Sequence, residues 1–356
     1  MAHLESYDSF KTKKSIDKKN RAKDIALNKK VDDNFVIRRD SSLNTGIVIE
    51  TGYKETKVLY NGEILTVFGM RQNIPCNQLL FPGDEVVLDD EKKKILHVLE
   101  RKTILSRNHK DRARRNNVVS NKILASNIDT AVIVVSAYSP PLHPRFIDRY
   151  LMILQACGIE PIICLNKSDL KTENDERVID IYRKLNIPVV ETSAINNEGI
   201  DNLKFYLKNK RAIFVGHSGV GKSSLTNRIM DFDEIKTGHV GEKSRRGRHT
   251  TTSSKFYIWD NNSSIIDTPG IRALDVSSFN ASEIQDYFPE FESYLNCKYK
   301  RCDHIHAPTE DCGVKTAVRD GDIPLSRYES YVRIMEDISV QNQKKTNSEE
   351  FNNIIF

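Results

Sequence analysis

The stretch GHSGVGKSS, from Gly216 to Ser224, decides the architecture predicted for this chain. It fits the pattern G-x-x-x-x-G-K-[ST], whose glycines let backbone N–H groups converge on phosphate oxygens. The apolar run Ala212–Val215 precedes it, and the amphipathic stretch Ser223–Met230 follows it. A strand, a glycine-rich loop and a helix in this order are the context that the pattern requires. We therefore predict a phosphate-binding loop on a mostly parallel sheet.

The side chains around this loop predict its chemistry. Lys222 would neutralise the outer phosphates of a nucleoside triphosphate, and Ser223 would bind Mg²⁺. Further along the chain, an apolar strand delivers Asp267 to the Mg²⁺ side, and Gly270 can offer a backbone N–H to the γ-phosphate. The other predicted nucleotide contacts of the loop are Gly216, Ser218, Gly219, Val220, Gly221 and Ser224.

Two earlier motifs predict recognition of guanine. In the segment NKSD, the carboxylate of Asp169 can accept hydrogen bonds from the ring N–H and the amine of guanine, a donor pair that adenine lacks. Asn166 can bind the other base edge, and the stem of Lys167 can pack on the ring. In the segment ETSA, a backbone N–H at Ser193 or Ala194 can reach the guanine oxygen. Each motif is weak alone, but both follow apolar strands, and ligands bind at the carboxyl ends of such strands.

The order of these motifs is unusual. In an ordinary GTPase the phosphate loop comes early and the base-reading segment late, whereas here NKSD precedes the phosphate loop by about fifty residues. Strand ends can converge on one site in whatever order the chain visits them, and circular permutation is tolerated when the original termini lie close together. We therefore predict a circularly permuted GTPase domain.

The loop at Lys236–Thr252 is polar, glycine-containing and basic, as expected of a segment that closes on a γ-phosphate and its Mg²⁺. Thr251 is the favoured Mg²⁺ ligand, with Thr250 as the alternative. Ile271 stands where many GTPases carry a glutamine that orients water, so another group must do so. His249 is the best candidate within the chain, and a histidine that contacts phosphate or RNA is the alternative interpretation.

Composition and charge predict a cytoplasmic protein with a polyanionic partner. The 356 residues are 38% hydrophobic and 29% charged, and the longest apolar run, Thr130–Ala137, is too short to span a membrane. The net charge of +5 is matched by residues 1–30 alone, where nine basic residues face four acidic ones. A second basic cluster covers Arg101–Arg115. RNA is the partner that such clusters favour, and a solvated tail and charged linker are the alternative.

Short alternating strands fill the region from Gly46 to about Arg101. The predicted strands are Gly46–Glu50, Lys57–Tyr60, Glu63–Phe68, Asp84–Leu88 and Lys94–Leu99. Five strands separated by turn signals favour a small barrel of the OB-fold type, with another small β-module as the alternative.

Three of the six cysteines, Cys297, Cys302 and Cys312, lie within sixteen residues together with His304 and His306. Three cysteines and one histidine form a common structural Zn²⁺ site, closed and tetrahedral. Free cysteines in a loop are the alternative.

Taken together, the order NKSD, TSA, GHSGVGKSS, GRHTTT, DTPG and Cys-x4-Cys-x-His…Cys resembles that of the RsgA family, also called YjeQ or YloQ, of bacterial GTPases that depend on the small ribosomal subunit. The segments PGDEV, RKTILSR, YFPEF and RYESY match as well, so the resemblance covers about residues 43–335. It implies a multidomain chain with an OB-fold, a permuted α/β GTPase domain and a helical zinc domain. It also implies late maturation of that subunit, with hydrolysis stimulated by it.

At the residue scale the resemblance implies that His249 acts in hydrolysis. It also implies zinc ligands at Cys297, Cys302, His304 and Cys312. His306 stands at the family's His-x5-Cys spacing, so it is the alternative to His304. His217 in the phosphate loop also departs from the expected pattern.

These observations predict a monomer with a basic arm at 1–42, an OB-fold at 43–103, a GTPase domain at 104–278 and a zinc-binding helical domain at 279–356. GTP or GDP with Mg²⁺ and one structural Zn²⁺ are the expected cofactors, and the small ribosomal subunit with its rRNA is the expected partner. We further predict that the switch loops couple nucleotide state to the position of the zinc domain. An RNA-binding assembly scaffold is the main alternative, and a GTP-dependent phosphotransferase of metabolism is disfavoured by the basic clusters and the barrel.

Overall fold

The computed structural model describes residues 43–51, 55–68, 79–107, 122–231, 255–260, 262–267, 276 and 279–353. Its strands are β1 (Thr45–Thr51), β2 (Glu55–Tyr60), β3 (Glu63–Phe68), β4 (Glu85–Leu88), β5 (Ile95–Val98), β6 (Ile104–Arg107), β7 (Lys122–Ser126), β8 (Thr130–Ser136), β9 (Glu160–Asn166), β10 (Val189–Thr192), β11 (Arg211–Val215), β12 (Lys255–Asp260) and β13 (Ser263–Asp267). Its helices are α1 (Pro144–Ala156), α2 (Glu173–Lys184), α3 (Ile200–Leu207), α4 (Lys222–Ile229), α5 (Gly313–Asp320) and α6 (Leu325–Asn353). Short 3₁₀ turns lie at Ser168–Leu170, Ala281–Tyr287, Pro289–Tyr294 and Thr309–Asp311.

The N-terminal strands form an antiparallel sheet in the order β3-β2-β1-β4-β5. The five strands predicted from the alternating pattern are confirmed, because every second side chain faces one small core. The buried members of that core are Val48, Val58, Val67, Leu80, Val86, Leu88 and Ile95. Within the described residues no ladder joins β3 to β5, so closure into an OB-type barrel stays a prediction.

A two-stranded antiparallel ladder, β6 with β7, follows the N-terminal sheet. The sequence analysis predicted a basic cluster at Arg101–Arg115 with RNA as its favoured partner, and it predicted no strand here. The apolar pair Ile104 and Leu105 is too short to show a strand period among basic residues, although Leu105 is fully buried.

Buried polar groups join the N-terminal sheet to this ladder. Asp84 has no exposed surface and accepts hydrogen bonds from Arg101 Nε (2.6 Å) and Ser126 Oγ (2.6 Å). Gly83 lies so close that an added Cβ would stand 2.0 Å from the carbonyl oxygen of Ser126, and its φ is +93°. Arg211, at the start of β11, pairs with Glu85 at 2.6 Å. The segments PGDEV and RKTILSR therefore take part in the buried polar contacts that connect the N-terminal sheet to the ladder and to the central sheet.

The central sheet has the order β10-β9-β8-β11-β13-β12, parallel except for the edge strand β12. All seven residues of β8 are buried, as expected for a parallel strand covered on both faces. One face packs against α1 and α2, and the other against α3 and α4. The mostly parallel sheet predicted around the phosphate loop is confirmed. Helix α2 begins at a capping box, in which Thr172 and Asp175 satisfy each other's backbone N–H groups.

The C-terminal segment packs on α1, so it shares a hydrophobic core with the central sheet. Phe288, Phe291, Tyr331 and Ile338 are buried in the same cluster as Ile147 of α1. Each fully buried side chain of this size contributes about 1.5–3 kcal/mol relative to exposure. Among the described helices, none combines the length and the apolar character that crossing a membrane would require.

Candidate nucleotide and metal sites

The phosphate loop and the NKSD segment meet at the carboxyl edge of the central sheet. Gly221, with φ of +96°, ends the loop, and an added Cβ there would stand 2.2 Å from Nδ2 of Asn166. A larger residue would therefore be both strained and obstructed. Two motifs that lie about fifty residues apart in sequence are in direct contact.

Asn166 connects three of the predicted motifs. Its side chain is buried, and Nδ2 donates to the carbonyl oxygen of Val220 in the phosphate loop at 2.8 Å. Its Oδ1 accepts from the backbone N–H of Ala194 and from Oγ1 of Thr192, both at 3.2 Å. The Asn166 contacts therefore hold the loops together, whereas the predicted contact with the base is not tested by this geometry.

The two lysines of the site lie among backbone carbonyls. Lys222 Nζ donates to the carbonyl oxygens of Gly216 and His217, each at 2.8 Å. Lys167 has a left-handed φ of 57°, and its Nζ donates to the carbonyl oxygens of Tyr138 (2.9 Å) and Ser139 (2.6 Å). The ammonium groups therefore place two positive charges along one edge of the sheet.

Helix α4 begins directly after Gly221, so its free N–H groups and positive dipole end face the phosphate loop. Ser223 and Ser224 occupy its exposed first turn, and Asp169 is exposed on the turn after β9. The backbone N–H of Ser193 donates to the carbonyl oxygen of Glu198 at 3.1 Å, so this group already has a partner within the protein.

Several predicted residues lie outside the described side chains. β13 pairs in parallel with β11 and ends at Asp267, so the backbone of this residue lies at the same sheet edge as the phosphate loop. The Asp267 side chain, Gly270, His249, Thr250 and Thr251 are not among the described groups. Their predicted roles remain predictions.

A wall of the site that the sequence did not predict comes from the turn between β8 and α1. Pro140 Cδ would stand 3.7 Å from a Cβ at Gly219 of the phosphate loop. Phe146 stacks on the His217 ring, with ring centroids 4.2 Å apart. No motif marks this segment, so only its position directly after the central strand β8 could have indicated a role.

His217 therefore lies against the ring of Phe146 and near His143 and Lys222. Partial burial, together with the neighbouring His143 and Lys222, lowers the pKa of His217 below its ordinary value. The lowered pKa favours the neutral form of this imidazole.

Four side chains of the C-terminal segment converge as a metal site would require. The ligand atoms of Cys297, Cys302, His304 and Cys312 all lie within 4.8 Å of one another. His304 Nδ1 is 3.5 Å from the Cys297 and Cys312 sulfurs, which are 3.8 Å apart. Tetrahedral Zn²⁺ with ordinary Zn–S and Zn–N bonds gives edges of about 3.8 Å between sulfurs and about 3.5 Å between sulfur and nitrogen. The residues present fit a zinc ion.

The surroundings favour His304 over His306 as the fourth ligand. His304 is buried, and its Nε2 lies 2.9 Å from Oε1 of Gln285, the kind of outer contact that orients a metal-binding imidazole. His306 is 84% exposed, and its Nδ1 binds Asp303 at 2.5 Å. Burial alone would raise the pKa of the Asp303 carboxyl. The hydrogen bonds from His306 outweigh burial and lower this pKa to about 2.

Comparisons with known proteins agree with this geometry. The sequence model of the RsgA GTPase family matches residues 98–277. The small ribosomal subunit biogenesis GTPase RsgA of Thermotoga petrophila is 34% identical over 275 residues, which cover 75% of this chain and 87% of that protein. The protein of the same name from Caldanaerobacter subterraneus subsp. tengcongensis is 39% identical over 222 residues, or 62% of this chain and 74% of that protein.

Two solved structures extend the likeness. The crystal structure of YjeQ from Thermotoga maritima has a TM-score of 0.65 and 31% identity, covering 83% of this chain and 98% of that one. YloQ, described as a circularly permuted GTPase, has a TM-score of 0.63 and 25% identity, covering 85% and 99%. The motif order, the contact between Gly221 and Asn166 and these matches lead to one conclusion: the chain belongs to the RsgA family of circularly permuted GTPases and is a GTP-hydrolysing enzyme.

Proposed function

We propose that this GTPase binds the small ribosomal subunit in the cytoplasm and acts late in its maturation, with hydrolysis stimulated by the subunit. The observation that carries the nucleotide part is the meeting of three motifs at Asn166. The ribosomal part is supported by relatives named small ribosomal subunit biogenesis GTPase. A monomer is the proposed solution state.

The proposed roles of the site residues combine their motifs with the carboxyl edge of the central sheet, where the phosphate loop and the NKSD segment meet. Asp169 selects guanine, with Asn166, Lys167, Ser193 and Ala194 around the base. The phosphate loop with Lys222 holds the phosphates, and a bound Mg²⁺ would neutralise the charge that develops on them. Ser223 and Thr251 would hold that Mg²⁺, with Asp267 and Gly270 beside it and His249 orienting the attacking water.

The proposed RNA contacts lie at the two ends of the chain. The five-stranded N-terminal sheet at 43–103 fits a partly open OB-type barrel, which binds nucleic acid on its strand face. The basic arm at 1–42 would add electrostatic attraction. A structural Zn²⁺ at Cys297, Cys302, His304 and Cys312 would hold the C-terminal part, 279–356, in shape. The GTPase domain at 104–278 lies between them.

We also propose that nucleotide state changes the placement of the zinc-binding part relative to the barrel. The C-terminal segment shares a core with the GTPase sheet, whereas the N-terminal sheet has its own core. The movement would therefore carry the GTPase and zinc-binding parts together. Equal RNA affinity of the GTP and GDP forms would count against this coupling.

Phosphate release tests the proposed function directly. Purified protein would be given GTP or ATP, alone and with isolated small ribosomal subunits, with large subunits as the matched control. We expect GTP turnover that rises strongly with small subunits only, and little ATP turnover. Equal use of ATP, or equal stimulation by both subunits, would contradict the proposal.

The alternative is an RNA-binding scaffold in which the nucleotide site only adds stability. The variants Lys222→Ala and Ser223→Ala distinguish the scaffold from the GTPase switch. A scaffold would keep its cellular role after either substitution, whereas a GTPase switch would lose it.

A further inference from the structure

Helix α1 lies between the phosphate loop and the C-terminal segment. In its first turn the ring of Phe146 packs at a tilt against His217 of the phosphate loop, with centroids 4.2 Å apart, and against Tyr150 at 4.4 Å. Seven residues of the helix are buried, so it has contacts on more than one side. A shift of α1 would move the ring against which the phosphate loop rests.

The opposite contact of α1 is a buried ion pair with the C-terminal segment. Arg327, at the start of α6, donates from Nη1 to Oδ1 of Asp148 at 2.5 Å. The side chains are 3% and 0% exposed. Tyr182 Oη of α2 also donates to Asp148 Oδ1, at 2.8 Å. Arg327 is held in turn by Glu290, through Nε at 2.6 Å and Nη2 at 3.1 Å.

The same guanidinium is in contact with the aromatic core beside the metal site. It lies 4.6 Å from the centroid of Phe288, which packs on Phe291 at 5.3 Å. Phe291 meets the ring of His304 edge-on at 6.0 Å. The next residue of α6, Tyr328, donates from Oη to the carbonyl oxygen of His304 at 2.7 Å. An unbroken series of contacts therefore runs from the phosphate loop to the metal site.

A buried ion pair is costly unless its geometry is well satisfied, and replacing such a pair by apolar residues is often neutral or stabilising. Stability alone therefore does not account for a buried arginine with two acidic partners, one of which also binds a tyrosine. What the pair does supply is a fixed distance and orientation between α6 and α1, because a planar guanidinium binds two carboxylates in one geometry.

We propose that Arg327 is a positioning residue for GTP hydrolysis: through Asp148 it fixes helix α1 and so the Phe146 wall behind the phosphate loop. The proposal rests on the proposed nucleotide site at that loop. The C-terminal segment then acts on the nucleotide site indirectly, through helix α1. A displacement of less than 1 Å at the loop is enough to change turnover severalfold.

The test uses the full chain with Arg327→Met and Arg327→Lys. Arg319→Met is the matched control, since Arg319 is an exposed arginine of α5 paired with its neighbour Asp320. Zinc content and melting temperature report on folding. Binding of fluorescent GDP counts the folded sites, and kcat for GTP is expressed per site. The ring resonances of His217, assigned by their loss in His217→Gln, report on the contact with Phe146.

We expect Arg327→Met to lower kcat per site about five- to tenfold with KM changed less, and to shift the His217 resonances. Arg327→Lys should recover part of the turnover, because lysine keeps the charge but not the paired contacts. Phe146→Leu should reproduce both changes while leaving zinc content and the C-terminal segment intact. Arg319→Met should match the wild type.

A purely structural arginine would give a different result. Melting temperature would fall, while kcat per site and the His217 resonances stayed at their wild-type values, and this would overturn the proposal. Should Arg327→Met not fold, the lysine variant and Asp148→Asn carry the same comparison. If the wild type turned over no GTP, the proposed function would fail, but the His217 resonances would still show whether Arg327 positions the loop wall.

Discussion

At the residue scale, the proposed recognition of guanine would depend on one exposed carboxylate. Asp169 stands on the turn that follows β9, and Asn166 at the end of that strand is fixed by contacts with the other two motifs. Under the proposed roles, Asn166 holds the loops of the site together and Asp169 contacts the base. Substitution of the reader should therefore change specificity without unfolding the site.

Asp169→Asn should exchange guanine for xanthine. Losing two hydrogen bonds to a charged group costs about 3 kcal/mol, so GTP affinity should fall roughly a hundredfold. An amide at this position can donate to the second carbonyl of xanthine, so affinity for xanthosine triphosphate should rise. Competition binding with both nucleotides measures the exchange, and Asp201→Asn on α3 is the control. Unchanged preference for GTP would remove Asp169 from the base site.

His217 predicts a pH dependence of nucleotide binding. Its pKa is lowered in the free protein by partial burial, His143 and Lys222. Phosphates bound beside Lys222 would raise that pKa again, so binding takes up a proton. A group whose pKa rises on binding strengthens binding at low pH, where the group is protonated in the complex. This gain in affinity is lost as the pH rises through the pKa of the bound state. Affinity for GDP should therefore increase as pH falls from 8 towards 6.

The size of this effect is about tenfold for each unit by which the pKa changes on binding. His217→Gln should remove it, while His306→Gln, in the distant C-terminal segment, should keep it. Comparing variants on the same ligand cancels the titration of the phosphates themselves. Identical pH profiles of the wild type and His217→Gln would contradict the prediction.

At the element scale, the metal site depends on which histidine the C-terminal segment turns inward. Spacing alone left His304 and His306 open, whereas the structure gives only His304 a place among the three sulfurs. His304 adopts φ of 61°, a backbone conformation that no spacing rule could have indicated.

His304→Ala should lower zinc affinity at least about a hundredfold, because a closed four-ligand site loses one ligand. His306→Ala should retain zinc, since its ring binds Asp303 on the surface. Metal content after competition with a chelator measures both variants. The reverse pattern would mean that His306 is the ligand.

A helix or strand could be predicted from the sequence when its own burial leaves a pattern of apolar residues. The strand β8 is recognisable as a continuous apolar run because both its faces are buried, and helix α2 is recognisable by its capping box and its helical period, so the sequence predicts them well. The ladder β6–β7 and the contact of α1 with the phosphate loop arise between parts of the chain. Their residues have no period of their own, so the sequence could not indicate them.

At the scale of the whole molecule, two kinds of contact join its parts. The C-terminal segment shares an apolar core with the central sheet, besides the buried Arg327–Asp148 pair, whereas the N-terminal sheet has its own core and is joined through buried polar groups. Apolar contacts tolerate small shifts, but a buried carboxylate needs all its partners. The connection of the N-terminal sheet should therefore depend strongly on single residues.

Asp84 provides the clearest case. Its carboxylate accepts four hydrogen bonds, from the backbone N–H of Phe81, from two nitrogens of Arg101 and from Ser126. Removing it leaves the largely buried guanidinium of Arg101 without its charge partner, a loss of about 3–5 kcal/mol. Asp84→Ala should therefore let the N-terminal sheet melt before the rest of the chain.

Calorimetry separates the outcomes, because an early transition of the N-terminal sheet would appear below the main one. Asp90→Ala, an exposed carboxylate after β4, should stay within about 0.5 kcal/mol of the wild type. Nucleotide binding by Asp84→Ala should persist below the main transition, because the sheet edge around Asn166 does not contact Asp84. A single, unshifted transition in Asp84→Ala would mean that apolar contacts, rather than this carboxylate, hold the two sheets together.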